Sequence, residues 1–507
     1  SPLTPNFCAS VASGSHQPAP QIDHDALAGK RRRQPADDKD DDLWSDAWVR
    51  PITHVVPPTE EELLNAAKMA RLNAQQQHAM TLSRMHRLVL VRGPPGTGKT
   101  QLSAAVINAW ARKLGSKEVV IAAGPSNTAT DNLMDRIAKT AARDYQIGRL
   151  GEGPTVFDAC RSEFSLTKQA RRAMGVDAKK HAVNKHIKAA ISSRKHHVLF
   201  TTYMKSAELI GTNALFILAD EVGQATEPTT AVLLANAIEG AHVMLVGDEQ
   251  QLMPTVKCLK AEWDGLSCSL LARLNRSHRA LDHLVMLEVQ YRMHPDIQRF
   301  PNIQFYDGAL ECGLLTVPQQ VDGIPWPSVG NVEYKGGQTT GHLEYEHDPH
   351  HRMIYIHCEG QEKTERNSSS LVNEEQAEAT AHVVLSILQP YNWDTSPDIL
   401  ILTPYRAQHK LLSRMVTRCN PQKVRVSTID AAQGQEADLV IISFVRANAT
   451  GNAGFTDDAN RLNVAITRAK AGVIIVGHLA TSLAAEASGF GQLLFELRQQ
   501  AAIFTYW

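Results

Sequence analysis

Eight consecutive residues have the types and spacing of a phosphate-binding loop of the pattern G-x-x-x-x-G-K-[ST]. The loop consists of Gly93, Pro94, Pro95, Gly96, Thr97, Gly98, Lys99 and Thr100. Its glycines let backbone N–H groups approach phosphate oxygens without a Cβ in the way. Lys99 is suited to the β- and γ-phosphates of ATP, and the Thr100 hydroxyl is suited to Mg²⁺. The segment therefore predicts a site for ATP and Mg²⁺.

Acidic and amide side chains follow two apolar runs further along the chain. Asp220 and Glu221 come directly after the run 216–219, as the two acids of a Walker B motif do. We expect Asp220 to hold Mg²⁺ and Glu221 to polarise the water that attacks the γ-phosphate. Gln251 follows the run 243–246, where an amide at a strand end is placed to sense the γ-phosphate. A polar turn without such a role is the alternative for Gln251.

These residues need parallel strands to position them, and the chain contains two series of suitable apolar runs. The first series is 88–91, 119–122, 198–200, 216–219 and 243–246, and the second is 354–356, 399–402, 424–426, 439–442 and 473–476. Continuous apolar runs are typical of parallel strands that are covered on both faces. The alternation of strand and helix predicts an α/β fold with two doubly wound domains, at 59–280 and 281–507. A basic helical insertion is expected at about 152–197 in the first domain.

Composition excludes several classes of protein. The chain has 507 residues and a formal net charge of −1, so any nucleic-acid site must be a local groove. Its cysteines are scattered without a C-x-x-C pair, which argues against a zinc module or a disulfide framework and for a reducing compartment. No apolar run approaches the ~18–20 residues of a membrane-spanning helix. We therefore expect a cytoplasmic protein without a membrane partner.

Three polar segments carry further expectations. Residues 1–58 are rich in proline, alanine and charge, a composition that predicts disorder. Within them, the basic residues 30–33 are either a nuclear-import signal, which would add a nuclear location, or a solvated cluster in a linker, which we favour. The segment 346–351, with three histidines and two acids, either binds a metal or lies in a surface loop, and we favour the loop.

Seven motifs, taken in chain order, carry a resemblance to a known family. They are the phosphate loop and the segments 220–228, 247–254, 290–295, 403–408, 430–436 and 461–470. Together they resemble the superfamily 1B helicases, in the group typified by the nonsense-mediated-decay (up-frameshift) RNA helicase. The resemblance covers about residues 70–480. It implies two tandem RecA-like P-loop domains with parallel sheets, between which ATP binds.

The resemblance assigns roles at the ATP site. It implies that Gln76 reads the adenine edge and that Tyr291 packs against the base. Arg292 and Arg468 would act as arginine fingers from the second domain, because guanidinium forks suit γ-phosphate oxygens. Glu436 would contact the ribose or the phosphates. A surface ion pair is the alternative for either arginine taken alone.

The resemblance also implies contacts to a nucleic-acid strand. The candidates are Pro125, Ser126, Asn127, Thr202, Thr403, Pro404, Tyr405, Thr428 and Arg446. Hydroxyl groups, amides and helix N-termini hold phosphates without reading sequence, as a motor requires. Tyr405 is either a stacking face for a base or a packed core residue. The basic insertion either lines the path of the strand or is a solvated face.

The function implied by the resemblance is that of an ATP-dependent helicase or translocase on single-stranded nucleic acid, with RNA favoured and 5′ to 3′ polarity. Hydrolysis would open a cleft between two domains and so move the strand. A DNA helicase of the same superfamily and an ATP-switched RNA-binding clamp that does not unwind are the alternatives. We expect a monomeric motor that protein partners recruit.

Overall fold

The structure is a computed structural model that describes most of the chain beyond residue 55. The described residues are 56–114, 118–141, 145–151, 163–175, 177–193, 196–277, 282–313, 352–388, 396–417, 419, 422–484, 489–500 and 502–506. The helices are α1 (Glu60–Met69), α2 (Ala74–Met85), α3 (Lys99–Ala111), α4 (Asn127–Ala141), α5 (Leu166–Met174), α6 (Lys180–Ser192), α7 (Glu227–Leu234), α8 (Leu259–Trp263), α9 (Leu270–Leu274), α10 (Pro295–Phe305), α11 (Glu374–Leu388), α12 (Arg406–Met415), α13 (Ala459–Ile466), α14 (Leu479–Leu483) and α15 (Phe490–Gln499).

Two large parallel sheets organise these helices. The strands are β1 (Leu88–Arg92), β2 (Val119–Gly124), β3 (Ile147–Arg149), β4 (Val198–Thr202), β5 (Ala214–Ala219), β6 (Ala237–Gly247), β7 (Leu284–Met286), β8 (Val289–Gln290), β9 (Glu311–Cys312), β10 (Met353–His357), β11 (Lys363–Thr364), β12 (Leu371–Val372), β13 (Ile399–Thr403), β14 (Val424–Thr428), β15 (Ala437–Ser443), β16 (Ala469–Gly477) and β17 (Ile503–Thr505). Strands β2, β5 and β13 are buried along their whole length, as parallel strands covered by helices are.

The first sheet has seven parallel strands in the order β3-β4-β2-β5-β6-β1-β7. Strand β1 lies beside β6, with Arg92 opposite Gly247, and β5 lies on the other side of β6, with Ala219 opposite Leu245. The carboxyl ends of these three strands therefore meet at one edge of the sheet. This register places the phosphate loop, the acidic pair and the amide of Gln251 next to one another.

The second sheet has six parallel strands in the order β14-β13-β15-β16-β10-β17. Thr403 and Thr428 are paired at the carboxyl ends of β13 and β14. Glu436 and Arg468 instead precede β15 and β16, whose first residues are paired at the opposite edge. The second domain thus has its candidate nucleic-acid contacts and its candidate ATP contacts at opposite edges of one sheet.

Each sheet has its own hydrophobic core. The first core packs α1 to α4 against β1, β2, β4 and β5, and within it Trp110 stacks on Phe216 with ring centroids 4.7 Å apart. The second core packs α10, α11 and α15 against β10, β13, β15 and β16. Two separate cores are what two tandem domains require.

The predicted fold class is confirmed, since every apolar run of both series lies in a strand of one of the two sheets. The predicted boundary at residue 280 needs a correction, because β7 pairs with β1 and extends the first sheet to Met286. A strand of three residues is too short to show a pattern in the sequence. The structure describes helices α5 and α6 within the predicted insertion.

Several predictions fall outside the described residues. These are the predicted disorder over most of 1–58, the basic residues 30–33 and the segment 346–351. In the part of the chain that the structure describes, no helix combines the length and the apolar character needed to cross a lipid bilayer.

Candidate active site

Residues of both domains surround one cavity of 540 Å³ at the edge where β1, β5 and β6 end. The predicted ATP-site residues that line it are Pro95, Gly96, Thr97, Gly98, Lys99, Thr100, Asp220, Glu221, Gln251, Tyr291, Arg292, Glu436 and Arg468. The fold therefore brings the phosphate loop, both acids, the sensor amide and both predicted arginine fingers to one place.

The phosphate loop wraps around the side chain of Lys99, the first residue of α3. Gly96 and Gly98 have φ values of 77° and 80°, in the left-handed region that favours glycine. Lys99 Nζ donates a hydrogen bond to the carbonyl oxygen of Gly93 at 2.5 Å. A Cβ on Gly93 would overlap Lys99 Cγ. Glycine is therefore required here, and the N-terminus of α3 offers its backbone amides to an anion.

Gln76 and Tyr291 differ in how they fit their predicted roles. Gln76 is buried, since its Oε1 caps α2 by accepting from the backbone of Asn73 at 3.0 Å and its Nε2 donates to the carbonyl oxygen of Thr97 at 2.9 Å. In this conformation Gln76 braces the phosphate loop. Because an amide has two N–H donors and two acceptor lone pairs, these contacts leave its contact with adenine a prediction. Tyr291 is half exposed, lines the cavity and accepts a hydrogen bond from Asn73 Nδ2 at 3.0 Å. Its ring is available to a base.

Asp220 and Glu221 directly follow β5 and line the cavity. Asp220 is buried, and its Oδ1 accepts from the backbone N–H of Glu221 at 3.0 Å. Glu221 has a φ of 55°, a left-handed conformation that costs a non-glycine residue about 1–2 kcal/mol. Burial and the Glu221 carboxylate raise the pKa of Asp220 to about 7, although Lys99 opposes the shift. The strained turn aims the second acid into the cavity beside the first.

The raised pKa of Asp220 predicts how stability depends on pH in the absence of metal. The carboxyl binds its proton more tightly folded than unfolded, so its contribution to stability is present below pH 3.8 and is lost as the pH rises through about 7. Between pH 5 and 7 we expect the Tm in EDTA to fall relative to that of Asp220→Asn by about 3 °C per pH unit. Thermal unfolding of both proteins measures this difference, and parallel curves would contradict the shift.

The two predicted arginine fingers approach the cavity from the second domain. Arg468 is buried, and its Nη2 donates to Gln251 Oε1 in the first domain at 3.3 Å. Burial and the neighbouring Arg292 lower the pKa of Arg468 to about 9, so the side chain is still a cation at neutral pH. Arg292 Nε donates to Glu436 Oε2 at 2.9 Å. Both guanidinium groups therefore stand at the cavity as positive charges held in place by the protein.

Glu436 and Gln433 have contacts that the sequence did not indicate. Glu436 forms ion pairs with Arg292 at 2.9 Å and with Lys470 at 3.2 Å. Burial opposes ionisation of Glu436, but these two cations outweigh it and lower its pKa. The carboxylate thus holds Arg292 in this conformation. It also lines the cavity, where its contact with the ribose or the phosphates stays a prediction. Gln433 Nε2 donates to Glu221 Oε2 at 3.3 Å, so the second domain also contacts the carboxylate that is predicted to activate the water.

Thr100 and Asp220 both line the cavity, and the structure permits a test of their fit to Mg²⁺. Both side chains supply oxygen, the donor that Mg²⁺ prefers, and a buried carboxyl with a raised pKa is stabilised as an anion by a nearby cation. Among the described residues no group of three His, Cys, Asp or Glu side chains is arranged to hold a metal alone. The oxygen donors of Thr100 and Asp220 therefore fit Mg²⁺.

The candidate nucleic-acid contacts of the first domain lie at the carboxyl ends of β2 and β4. Pro125, Ser126 and Asn127 form the turn from β2 into α4, and Thr202 ends the neighbouring strand. Asn127 Oδ1 accepts a hydrogen bond from the buried Arg149 at 2.9 Å. Because a guanidinium only donates, this contact turns the Asn127 Nδ2 donors away from Arg149. Such donors suit phosphate oxygens.

Two of the candidate nucleic-acid contacts of the second domain need corrections. Thr403 is fully buried and Tyr405 is only 6% exposed, so neither side chain is open to a strand in this conformation. The Tyr405 hydroxyl lies 3.5 Å from Arg446 Nη1, and Arg446 forms an ion pair with Glu362 at 3.0 Å. The core alternative left open for Tyr405 is therefore the one observed. Pro404, Thr428 and Arg446 are partly exposed at this edge.

The described part of the basic insertion is a pair of helices beside the first sheet. Neither α5 nor α6 contains an Asp or Glu, and together they carry Lys168, Arg171, Arg172, Lys180, Lys185 and Lys188. A bridge between Arg149 and Ser165 joins the start of this pair to β3, at the side of the sheet that holds β4 and β2. The positive charge therefore lies on the same side of the first sheet as the candidate nucleic-acid contacts.

These features define a two-domain, RecA-like P-loop fold with a composite cavity. Two family models, each described as an AAA domain, match residues 71–257 and 266–480. The regulator of nonsense transcripts 1 homolog of Drosophila melanogaster is 31% identical over 456 residues, which are 83% of this chain and 35% of that protein. The chain belongs to this family of superfamily 1 helicases.

Other members show similar agreement. The homolog of Arabidopsis thaliana is 30% identical over 445 residues, which are 81% of this chain and 33% of that protein. The ATP-dependent helicase upf1 of Schizosaccharomyces pombe is 29% identical over 462 residues, which are 84% of this chain and 47% of that protein. This chain therefore spans about a third to a half of the length of these relatives.

Proposed function

We propose that the protein is an ATP-dependent helicase that moves along single-stranded nucleic acid, preferably RNA, in the 5′ to 3′ direction. The observation that carries this proposal is the contact of Arg468 in the second domain with Gln251 in the first. A charge from one domain at the phosphate-sensing residue of the other makes hydrolysis depend on closure of the cavity. Hydrolysis then changes the fit between the domains.

The residues around the cavity divide the chemistry of hydrolysis among them. The phosphate loop and Lys99 bind the phosphates, and Glu221 accepts the proton of the attacking water. Arg292 and Arg468 stabilise the charge that develops on the γ-phosphate oxygens, which fixed charges in a water-poor site do well. Mg²⁺, held by Thr100 and Asp220, would neutralise the phosphate charge.

A short segment of the second domain links the ATP site to the candidate nucleic-acid contacts. Residues 429–436 connect the carboxyl end of β14, at Thr428, to the amino end of β15 at the opposite edge of the sheet. Midway along this segment, Gln433 contacts Glu221. A change at the Glu221 carboxylate during hydrolysis can therefore shift the backbone next to Thr428. This path supports coupling of hydrolysis to strand movement.

RNA is the favoured substrate because the relatives are named as regulators of nonsense transcripts, and transcripts are RNA. Contacts made by turns, amides and partly exposed basic groups grip the backbone without reading bases. A DNA helicase and an RNA clamp that does not unwind are the competing candidates. We further propose a monomeric protein recruited by partners in the cytoplasm, and the free cysteines of the described residues suit a reducing compartment.

The proposed substrate predicts that poly-U RNA stimulates ATP hydrolysis, by at least about tenfold at low salt. Stimulation should fade as salt increases, because a single strand held through six phosphate contacts loses about 300-fold in affinity between about 50 and 200 mM salt. Steady-state hydrolysis with poly-U, poly-dT or no strand measures the effect. Equal stimulation by poly-dT would favour the DNA or dual-substrate alternative, and none by either strand would exclude a motor.

Unwinding distinguishes the motor from the clamp. A motor should displace the partner strand of an RNA duplex with a 5′ single-stranded overhang, and only with hydrolysable ATP. A clamp would bind the same duplex and hydrolyse ATP without displacing the strand. A matched duplex with a 3′ overhang tests the direction of movement.

A further inference from the structure

A chain of hydrogen bonds crosses between the domains behind the ATP site. Tyr306, which follows α10 in the second domain, donates from its hydroxyl to Asp248 Oδ2 in the first domain at 2.8 Å. The same hydroxyl accepts from Asn463 Nδ2 of α13 at 2.7 Å. All three side chains are at most 2% exposed. None of the three lines the ATP cavity.

This series of hydrogen bonds ends at Gln251, the residue predicted to sense the γ-phosphate. Asp248 Oδ2 also accepts from Gln251 Nε2 at 2.7 Å. With its donor group bound to Asp248, the amide of Gln251 presents its oxygen to Arg468. The orientation of Gln251 thus depends on Asp248, and Asp248 is held from the second domain by Tyr306.

Helix α13 holds the backbone of the same loop. Asn460 Nδ2 donates to the carbonyl oxygen of Glu249 at 3.0 Å, and Asn463 Nδ2 donates to that of Gln250 at 2.8 Å. Arg468 follows the same helix, so α13 carries both the arginine finger and the groups that dock the sensor loop. The position of the finger relative to Gln251 is therefore set by contacts that involve no nucleotide.

We propose that Tyr306, with Asn460 and Asn463, is an interdomain latch that docks the loop 248–251 onto α13 and so positions Gln251 and Arg468 for hydrolysis. Tyr306 is a positioning residue, because it acts through Asp248. This inference rests on the proposed ATP hydrolysis in the cavity. It concerns how closure of the two domains positions the catalytic residues, and it does not depend on which nucleic acid is bound.

The chemistry of Tyr306 suits this role. Burial and the charge of Asp248 raise the pKa of the phenol, so its hydroxyl keeps the proton that it donates. The Arg92 guanidinium lies 5.9 Å from the centre of the ring and forms an ion pair with Glu249 at 2.7 Å. Removal of the hydroxyl alone would leave the ring and these neighbours in place. The hydrogen bond to Asp248 can therefore be tested separately from the packing.

The test is Tyr306→Phe, measured by kcat for ATP hydrolysis and by the Kd for a fluorescent ADP. Loss of one hydrogen bond to a charged acceptor should lower kcat about tenfold. The Kd for ADP should change less than about twofold, because the phosphate loop of the first domain is unaltered. A purely structural effect would not divide binding from turnover in this way. Turnover is measured with and without poly-U, so the latch is tested even if no strand stimulates the enzyme.

Tyr355→Phe is the matched control. Tyr355 is also fully buried in the second domain, and its hydroxyl hydrogen-bonds to Ser482 Oγ at 2.9 Å, away from the cavity. Its kcat should equal that of the wild type. The latch is overturned if Tyr306→Phe turns over normally, if its Kd rises as much as its kcat falls, or if Tyr355→Phe loses the same activity.

A second variant keeps the proposal testable if Tyr306→Phe does not fold. Asn460→Ala removes a partly exposed donor to the loop backbone and leaves the buried network intact. We expect a severalfold loss of kcat with unchanged Kd for ADP, and normal turnover of a folded Asn460→Ala would overturn the docking role of α13.

Discussion

Arg468→Ala should lower kcat for ATP hydrolysis by about 10³–10⁵-fold, the size of effect that an arginine finger supplies. Arg468 is buried at the cavity, and its Nη2 contacts Gln251 Oε1 across the domain boundary. A fixed cation in such a desolvated place stabilises developing phosphate charge far more than one in water. Steady-state hydrolysis at saturating ATP, with and without poly-U, measures the loss.

Binding should survive this substitution, because the phosphate loop lies in the first domain. The Kd for ADP is expected to stay within about twofold of the wild-type value. Arg468→Lys keeps a charge but loses the fork that reaches two acceptors, so its kcat should also fall sharply. The control is Arg498→Ala, an exposed arginine of α15, which should turn over normally. A folded Arg468→Ala with wild-type kcat would exclude Arg468 from the chemistry.

The fold and the outline of the ATP site follow from local patterns in the sequence. Apolar runs predict strands because a parallel strand is covered on both faces, and each run was found in one of the two sheets. The loop before Lys99 needs glycine for backbone reasons that act within a few residues. Asp220 and Gln251 follow neighbouring strands, so the order of strands in the sheet suffices to bring them together.

The sequence does not predict the contacts of individual side chains whose partners are supplied by tertiary structure. Gln76 caps its own helix and binds the phosphate loop, and Glu436 pairs with Arg292 and Lys470. A sequence motif states which residue is present but not which acceptor is nearest in a given conformation. Tyr405 is likewise buried by chain segments that are distant in sequence, which its motif does not reveal.

The residues that sequence reasoning missed make contacts between the domains. Tyr306 directly follows α10, a helix of mixed apolar and polar residues. It looks like a core aromatic, and it is indeed buried. Its hydroxyl acquires a function only because Asp248, 58 positions away, lies opposite it. Gln433 and Asn463 did stand inside motifs that were singled out. Their polar side chains between small or apolar neighbours were the available signal.

Lys99→Ala should abolish turnover through a different step, the binding of the triphosphate. Lys99 Nζ now donates to the Gly93 carbonyl oxygen at 2.5 Å, inside the loop that closes around phosphate. Phosphate oxygens would replace such a neutral acceptor with a stronger, charged one, and alanine offers neither the charge nor the donor. We expect no measurable hydrolysis and a Kd for ADP at least about tenfold higher, in contrast to Arg468→Ala.

Lys113→Ala is the matched control for this second prediction. Lys113 lies just beyond the end of α3, the helix that Lys99 begins, and it forms a surface ion pair with Glu62 at 2.7 Å. Such pairs contribute about 0–1 kcal/mol, so this variant should fold, bind ADP and turn over like the wild type. Lys99→Ala with normal turnover would overturn the site itself. Loss of hydrolysis with unchanged ADP affinity would confine the lysine to the γ-phosphate, and its role would then resemble that of Arg468.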